Sequence, residues 1–119
     1  MYKINKDIDK WDYENGYFLT CDTERIGKFL NHYELYKKVK NISGDIAEFG
    51  VFKGVSLTRF LSFRNILENQ NVRKVYGFDV FGKFPVNKLN INKDIEQAMH
   101  FEDEAGQGIS DVDLKKHLN

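Results

Sequence analysis

The stretch Asp45-Ile-Ala-Glu-Phe-Gly-Val-Phe-Lys-Gly-Val-Ser56 decides the fold of this chain. Its first half is mostly apolar and predicts a buried strand, which runs through a glycine-bearing turn directly into a helix. Such a transition presents backbone N–H groups at a helix N-terminus, where a ligand can bind. A second strand, Lys74-Val-Tyr-Gly-Phe-Asp79, follows one helix later and ends on a carboxylate. This order of elements predicts the first half of a nucleotide-binding α/β unit.

Around this unit we divide the chain into an aromatic-rich lead segment at 1–21, expected to be irregular, and a partial α/β domain at 22–119. Within that domain, 22–81 carries helix, strand, helix and strand, and 82–119 carries a loop and cap-like helices. Apolar periodicity and capping residues predict the helices at 22–40, 56–68, 93–105 and 110–118. For the helix at 93–105 we expect Ile95, Ala98 and Met99 to face inward.

The composition limits which classes of protein this chain can belong to. The 119 residues suffice for one domain, and 18 Lys and Arg balance 18 Asp and Glu. Because no basic field would attract a phosphate backbone, nucleic acid is not an expected partner. The single cysteine, Cys21, cannot form an internal disulfide, which is typical of a reducing, cytoplasmic setting. No apolar run approaches the roughly 18 residues of a membrane span, so no membrane association is expected.

Four residues of the first strand and turn are candidates for a binding site. Gly50 permits a tight turn, and Gly54 permits close approach of a ligand or of the helix. Ser56 can cap the helix or donate to a ligand. Glu48 is unusual, because a carboxylate at the end of an apolar strand is costly to bury unless something hydrogen-bonds it. A glycine turn with a solvent-facing glutamate is the alternative interpretation.

Asp79 strengthens the interpretation as a nucleoside site. It lies 25 residues after Gly54 (79 minus 54), at the end of the next strand, where such units place an acid that accepts hydrogen bonds from ribose hydroxyls. Parallel strands joined by a right-handed crossover bring Glu48 and Asp79 to the same edge. The sequence lacks the Gly-x-Gly-x-x-Gly fingerprint and the Lys-Ser/Thr of a P-loop, which disfavours a pyrophosphate ligand and an NAD-type oxidoreductase.

Two linked blocks carry a family resemblance. Gly44-Asp-Ile-Ala-Glu-Phe-Gly-Val-Phe-Lys-Gly-Val-Ser56, followed by Gly77-Phe-Asp-Val-Phe-Gly-Lys-Phe-Pro85, resembles the class I S-adenosylmethionine-dependent methyltransferases. Within them it is most similar to the macrocin/mycinamicin sugar O-methyltransferase group. The resemblance spans roughly 22–85. Val80 stands where that group usually has Ser or Thr, so a side-chain hydrogen bond is absent there.

The resemblance implies a cofactor, S-adenosylmethionine, and a set of residues that contact it. Its methionine part would lie along the first strand and turn, and its ribose on the acid that ends the second strand. The implied cofactor-binding residues are Glu48, Gly50, Val51, Phe52, Gly54, Ser56 and Asp79. The catalytic base and the carboxylates that hold a divalent metal in the sugar-modifying group have no counterpart in this chain. The acidic run 102–104 is expected to be a solvated cluster, so we assign no metal ligand.

The resemblance implies the N-terminal portion of a Rossmann-like methyltransferase, an α/β fold with an incomplete sheet. The implied activity is methyl transfer to a hydroxyl of a sugar or similar small molecule. A non-catalytic fragment or an interaction module that keeps this part of the fold is the alternative. Because parallel strands are normally buried on both faces, we expect either a truncation of a longer enzyme or a homo-oligomer that completes the core.

Overall fold

A computed structural model describes residues 1–118 as a mixed fold of helices and strands. Two short strands form a parallel sheet, in which Ile46 lies opposite Val75 and Phe49 lies opposite Phe78. Helices flank this sheet. The elements in chain order are α1 (Lys10–Thr20), α2 (Thr23–Val39), β1 (Ile46–Phe49), α3 (Val55–Leu67), β2 (Val75–Phe78), a 3₁₀ turn (Val86–Lys88), α4 (Asn92–Ala105) and α5 (Asp111–Leu118).

The caps predicted from the sequence are present. The Asp22 side chain accepts a hydrogen bond from the Arg25 amide at 2.9 Å and begins α2. Before α5, the Ser110 hydroxyl donates to Asp113 at 2.9 Å and accepts from the Asp113 amide at 3.1 Å. These side chains satisfy backbone N–H groups that have no partner within the helix, which is why the helix starts could be located from the sequence.

The expectation of an irregular lead segment is wrong for Lys10–Thr20, whereas residues 3–9 are irregular as expected. Residues Lys10–Thr20 form α1, whose N-cap Asp9 accepts a hydrogen bond from the Trp11 amide at 2.8 Å. The helix has no buried residue, and its apolar side chains do not line up on one face. Hydrophobic periodicity therefore gave no signal there, whereas the aspartate cap did.

The two faces of the sheet differ in burial. Ile46 and Val75 lie on a half-buried face, whereas the side chains that alternate with them point to an exposed one. On the exposed face Phe49 is 79% exposed and stacks on Phe78, with ring centroids 5.0 Å apart. The apolar strand residues thus divide between a core and an uncovered surface, because side chains alternate along a strand.

The chain forms two compact units, which are described separately. The first comprises Met1–Lys3, Ile46–Thr58 and Val75–Asn119, and it contains the sheet. A buried cluster holds this unit together, and Tyr2, Val75, Phe81 and Leu118 pack against it. The members of the cluster are Val51, Leu57, Ile109 and Leu114. They come from the turn after β1, from α3 and from the C-terminal segment, so contacts distant in sequence fix the turn.

The second unit comprises Ile4–Asp45 and Arg59–Lys74. Its centre is Tyr36, which is 1% exposed, and Phe63, which makes edge-on contacts with aromatic rings of α2 and with Phe60 of α3. The buried Arg73 guanidinium forms an ion pair with Glu68 at 2.8 Å. Arg73 also donates to main-chain carbonyls at the end of α2 and in the segment after it, those of Val39, Lys40, Ile42 and Gly44.

No helix within residues 1–118 combines the length and the apolar character needed to cross a lipid bilayer.

Candidate functional site

The turn after β1 has an unusual backbone conformation that its sequence explains. Gly50 has φ 89° and donates its N–H to the Phe78 carbonyl at 2.8 Å, which extends the pairing of the two strands. A Cβ on Gly50 would meet nothing within 4 Å, so the glycine is needed for its conformation and leaves the backbone open to a ligand. Phe52 also has a positive φ, 54°, which is uncommon for a bulky residue.

Gly54 has a different role, because it makes room for a neighbouring helix. Its φ is 83°, and a Cβ built on it would lie 2.5 Å from Cδ1 of Leu114. The sequence left open whether a ligand or a helix approaches this glycine. In the structure the neighbour is the buried side chain of Leu114 in α5. Gly54 therefore fixes the position of α5 against the turn.

Asp79 connects the ends of the two strands. Its Oδ2 accepts hydrogen bonds from the amides of Val51 at 2.6 Å and Phe52 at 2.8 Å, and its Oδ1 accepts from Phe81 at 2.9 Å. An ionised carboxylate has about four acceptor positions, so these bonds occupy most of them. The acid that ends β2 thus holds the turn that follows β1.

The surroundings of Asp79 keep its carboxylate charged. Burial by itself raises its pKa, but hydrogen bonds from the amides of Phe52, Phe81, Val51 and Val80 favour the ionised form. The net result is a pKa below the ordinary value. Asp79 is therefore a fixed negative charge at neutral pH, located where the two parallel strands end.

Glu48 and Ser56 form a pair within the same unit. The Ser56 hydroxyl, in the first turn of α3, donates to Oε1 of Glu48. The sequence indicated that this carboxylate needs a hydrogen-bond donor, and the structure supplies a hydroxyl of the chain itself. The pair ties the end of β1 to the start of α3.

A cavity of about 210 Å³ lies at the carboxyl ends of the strands. The lining residues are Gly50, Phe52, Asp79, Val80, Gly82, Phe84, Phe101 and Gly108. Of the seven residues predicted from the sequence, the lining includes Gly50, Phe52 and Asp79. Val51 contributes its amide to Asp79 while its side chain is in the core. The Glu48–Ser56 pair and Gly54 are not among the lining residues.

Aromatic rings form much of the cavity wall. The ring of Phe101 in α4 lies 5.5 Å from that of Phe52, tilted by 60°, and 5.5 Å from that of Phe84, at 89°. Glu102 holds this arrangement, since its Oε1 accepts from the Phe84 amide at 2.7 Å. Phe84 and Phe101 were missed as site residues. The three-residue step from Ala98 to Phe101 along α4 was the available signal for Phe101.

The inward face predicted for α4 was partly wrong. Ile95 and Ala98 are half-buried, but Met99 is 57% exposed. The helix is rotated so that Phe101 borders the cavity. From Ile95, a four-residue step leads to Met99, and three-residue steps lead to Ala98 and Phe101. The face of α4 that borders the cavity follows the three-residue steps. Both spacings occur on an apolar helix face, so the sequence of a short helix does not distinguish them.

Lys53 joins the turn to the end of α4. Its Nζ donates to the Ala105 carbonyl at 2.6 Å and lies 5.0 Å from the ring centroid of Phe52 and 4.9 Å from that of Tyr2. A cation at a helix C-terminus is favourable because carbonyl groups there lack partners. Lys53, like the aromatic wall, was not predicted as part of the site.

The acidic run that begins at Glu102 does not assemble into a metal site. Across residues 1–118, no group of three or more His, Cys, Asp or Glu side chains is placed to hold a metal ion. His100 and Glu104 lie 3.4 Å apart on the surface of α4, with both side chains at least 70% exposed. The carboxylate of Glu102 is instead used to position Phe84.

The sequence matches no protein-family model, and no significant match was found among curated proteins or solved structures.

Proposed function

We propose that this chain binds S-adenosylmethionine and takes part in methyl transfer to a hydroxyl of a sugar or similar small molecule. The proposal includes the finer fold assignment, in which the parallel pair β1–β2 and helix α3 form the N-terminal part of a Rossmann-like methyltransferase domain. The sequence blocks at 44–56 and 77–85 supply the resemblance on which this rests. The site geometry supplies the physical support.

One observation carries the proposal. The glycine turn after β1 and the acid after β2, 29 positions apart (79 minus 50), meet at one sheet edge beside a cavity of about 210 Å³. Ligands of open α/β sheets bind at the carboxyl ends of the strands, where loops and helix N-termini present polar backbone groups. The cavity is smaller than the roughly 300–1,000 Å³ typical of ligand pockets, so it would enclose part of a cofactor of this size.

The residues present fit such a cofactor in specific ways. The open space over Gly50 would admit the ligand close to the backbone. Asp79, ionised and already fixed by amides, would accept a ribose hydroxyl at an oxygen that it shares with those amides. The Glu48–Ser56 pair would border the methionine part at the start of α3. Phe52 and Phe101 would cover apolar parts of the ligand.

When bound, the cofactor would supply an electrophilic methyl group, whose transfer to an acceptor oxygen breaks the C–S bond, leaves a neutral thioether and releases the hydroxyl proton. The contribution of this chain would be to orient the methyl group. The amides of Val51 and Phe52, fixed by Asp79, keep the turn in one conformation before binding. The aromatic wall would shield one side of a bound ligand from water.

Calorimetric titration with S-adenosylhomocysteine tests this proposal. We expect micromolar binding by the parent chain and at least about tenfold weaker binding by Asp79→Asn, because the substitution removes a charge-assisted acceptor worth roughly 1.5–3 kcal/mol. Asp111→Asn is the matched control, since this carboxylate is half-exposed on α5 and pairs at i,i+4 with Lys115. Its affinity should equal that of the parent.

Two results would contradict the proposal. One is the absence of binding by a chain whose cooperative unfolding shows that it is folded. The other is tighter binding of NAD⁺ than of S-adenosylhomocysteine, which would support the oxidoreductase interpretation.

A second candidate function is a non-catalytic interaction module. The exposed sheet face favours it, because Phe49, Tyr76 and Phe78 present apolar surface without a cover among the described residues. Sedimentation velocity over a range of concentrations, with Phe49→Ser as the variant, tests this candidate. Self-association that disappears in Phe49→Ser, together with no binding of a nucleoside, would favour this function over methyl transfer.

A further inference from the structure

Three aromatic rings line the cavity, those of Phe52, Phe84 and Phe101, and we call this set the aromatic cage. The ring of Phe101 packs against the rings of Phe52 and Phe84 at interplanar angles of 60° and 89°. Phe84 is 41% exposed and Phe101 is 42% exposed, so a bound group could still cover much of both rings. Rings arranged at steep angles around one space present several π faces or edges to the same guest.

The charge beside this cage is negative. Asp79 lines the cavity, and its carboxylate is held ionised by backbone amides. Two further charged groups lie next to residues of this cage. Glu102 accepts a hydrogen bond from the Phe84 amide, and Lys53 lies over the Phe52 ring. The three groups sum to one negative charge. Lys53 is not among the lining residues, and its ammonium group is used by the Ala105 carbonyl.

We propose that this cavity binds an alkylated cation, a sulfonium or quaternary ammonium group, through the rings of Phe52, Phe84 and Phe101 and the carboxylate of Asp79. Aromatic faces attract cations, and a group without N–H donors avoids the cost of unmatched hydrogen bonds in an apolar cavity. A volume of about 210 Å³ is sufficient, since a cavity of roughly 150 Å³ holds benzene. An anionic guest would be repelled by Asp79.

The inference concerns the same cavity as the proposed function but does not require it. The sulfonium centre of S-adenosylmethionine is one source of the cation, and the quaternary ammonium group of another small molecule is a second source. If the first source is correct, the site should prefer the charged cofactor over its neutral thioether product, S-adenosylhomocysteine. That preference follows from the cage and is not required by methyl transfer itself.

The primary experiment compares choline with its neutral isostere 3,3-dimethylbutanol in NMR or calorimetric titrations of the full chain. We expect choline to bind at least about tenfold more tightly. Phe101→Leu keeps an apolar side chain and removes the ring, so it should weaken choline binding by about threefold to thirtyfold and affect the alcohol much less. Phe84→Leu is a second variant at a half-exposed position, and Phe49→Leu, on the exposed sheet face, is the control that should change nothing.

Parallel titrations with S-adenosylmethionine and S-adenosylhomocysteine separate the two sources. Preference for the charged cofactor, with competition by choline, would assign the cation to the sulfonium. Choline binding without binding of either nucleoside would support the cage and contradict the proposed function. Equal binding of choline and the alcohol by the folded parent, or no effect of the Phe101 and Phe84 substitutions on choline, would overturn the cage even if both nucleosides bind.

Discussion

Removal of the Arg73 guanidinium should be the most damaging single change in the second unit. The Arg73 side chain is 6% exposed and that of Glu68 is 9% exposed. Nε and Nη2 of Arg73 donate to the two carboxylate oxygens of Glu68 at 2.9 and 2.8 Å. Oε2 of Glu68 also accepts from the Tyr36 hydroxyl at 2.5 Å. Arg73→Met keeps much of the volume of the side chain and removes every donor.

The size of the stability loss follows from the groups that are left without a partner after the substitution. Glu68 keeps its negative charge in a nearly buried position, and breaking such a pair costs about 3–5 kcal/mol. The carbonyls that follow α2 also lose a charged donor, but they lie near the surface, where water can replace it. We therefore expect Arg73→Met to lower the free energy of unfolding by about 3–5 kcal/mol, a large share of the 5–15 kcal/mol typical of a domain.

Urea unfolding followed by circular dichroism measures this loss as a change in midpoint at constant slope. The double variant Arg73→Met with Glu68→Leu should recover part of it, because no charge is left unpaired. Lys37→Met, which breaks the exposed ion pair with Glu34, is the control and should not shift the midpoint measurably. A loss below about 1 kcal/mol for Arg73→Met would refute the reasoning. So would a double variant whose loss of stability exceeds the summed losses of Arg73→Met and Glu68→Leu measured separately.

Two further predictions concern the turn and α2. Gly54→Ala should destabilise the chain by about 1–3 kcal/mol more than Gly50→Ala in urea unfolding, because both glycines have a positive φ but only Gly54 would place a Cβ against Leu114; equal losses would contradict this. Burial, followed by nearby arginine and lysine charges, lowers the pKa of His32 below its ordinary 6.5. The unfolded chain then binds the proton more readily, so stability should fall as the pH drops below 6.5, and His32→Gln should reduce this dependence. An unchanged slope between pH 6.5 and 5 would show that His32 is not responsible.

Much of the fold was predictable because its signals are local. The capping side chains of Asp22 and Ser110, and the apolar strands either side of α3, act over a few residues and can be found in any sequence that contains them. The lead helix was missed because its apolar residues have no helical period, although Asp9 caps it. The two strand ends were correctly expected at one edge, since a crossover connection allows no other arrangement for parallel neighbours.

The candidate site was predictable only in part. Gly50, Phe52 and Asp79 line the cavity because they directly follow strands, a position that the sequence reveals. Phe84 and Phe101 follow no strand, and their place in the wall depends on how α4 packs, on the Glu102 hydrogen bond and on the Lys53 cap. Those contacts join residues 18 to 52 positions apart, and no local pattern specifies such pairs.

The sequence by itself determined the order of helices and strands from α2 onward, the parallel pairing, and the meeting of a glycine turn with an acid, because propensity, capping and chain connectivity act locally. Only the tertiary structure decided what those residues do. Asp79 accepts hydrogen bonds from the amides of the turn after β1, Gly54 leaves room for the Leu114 side chain, and Glu48 accepts a hydrogen bond from Ser56. Tertiary packing also left Phe49 on an open sheet face and built an aromatic cavity beside a fixed charge. Hydrogen-bond partners and burial arise from three-dimensional packing, which residue types and spacing alone do not specify.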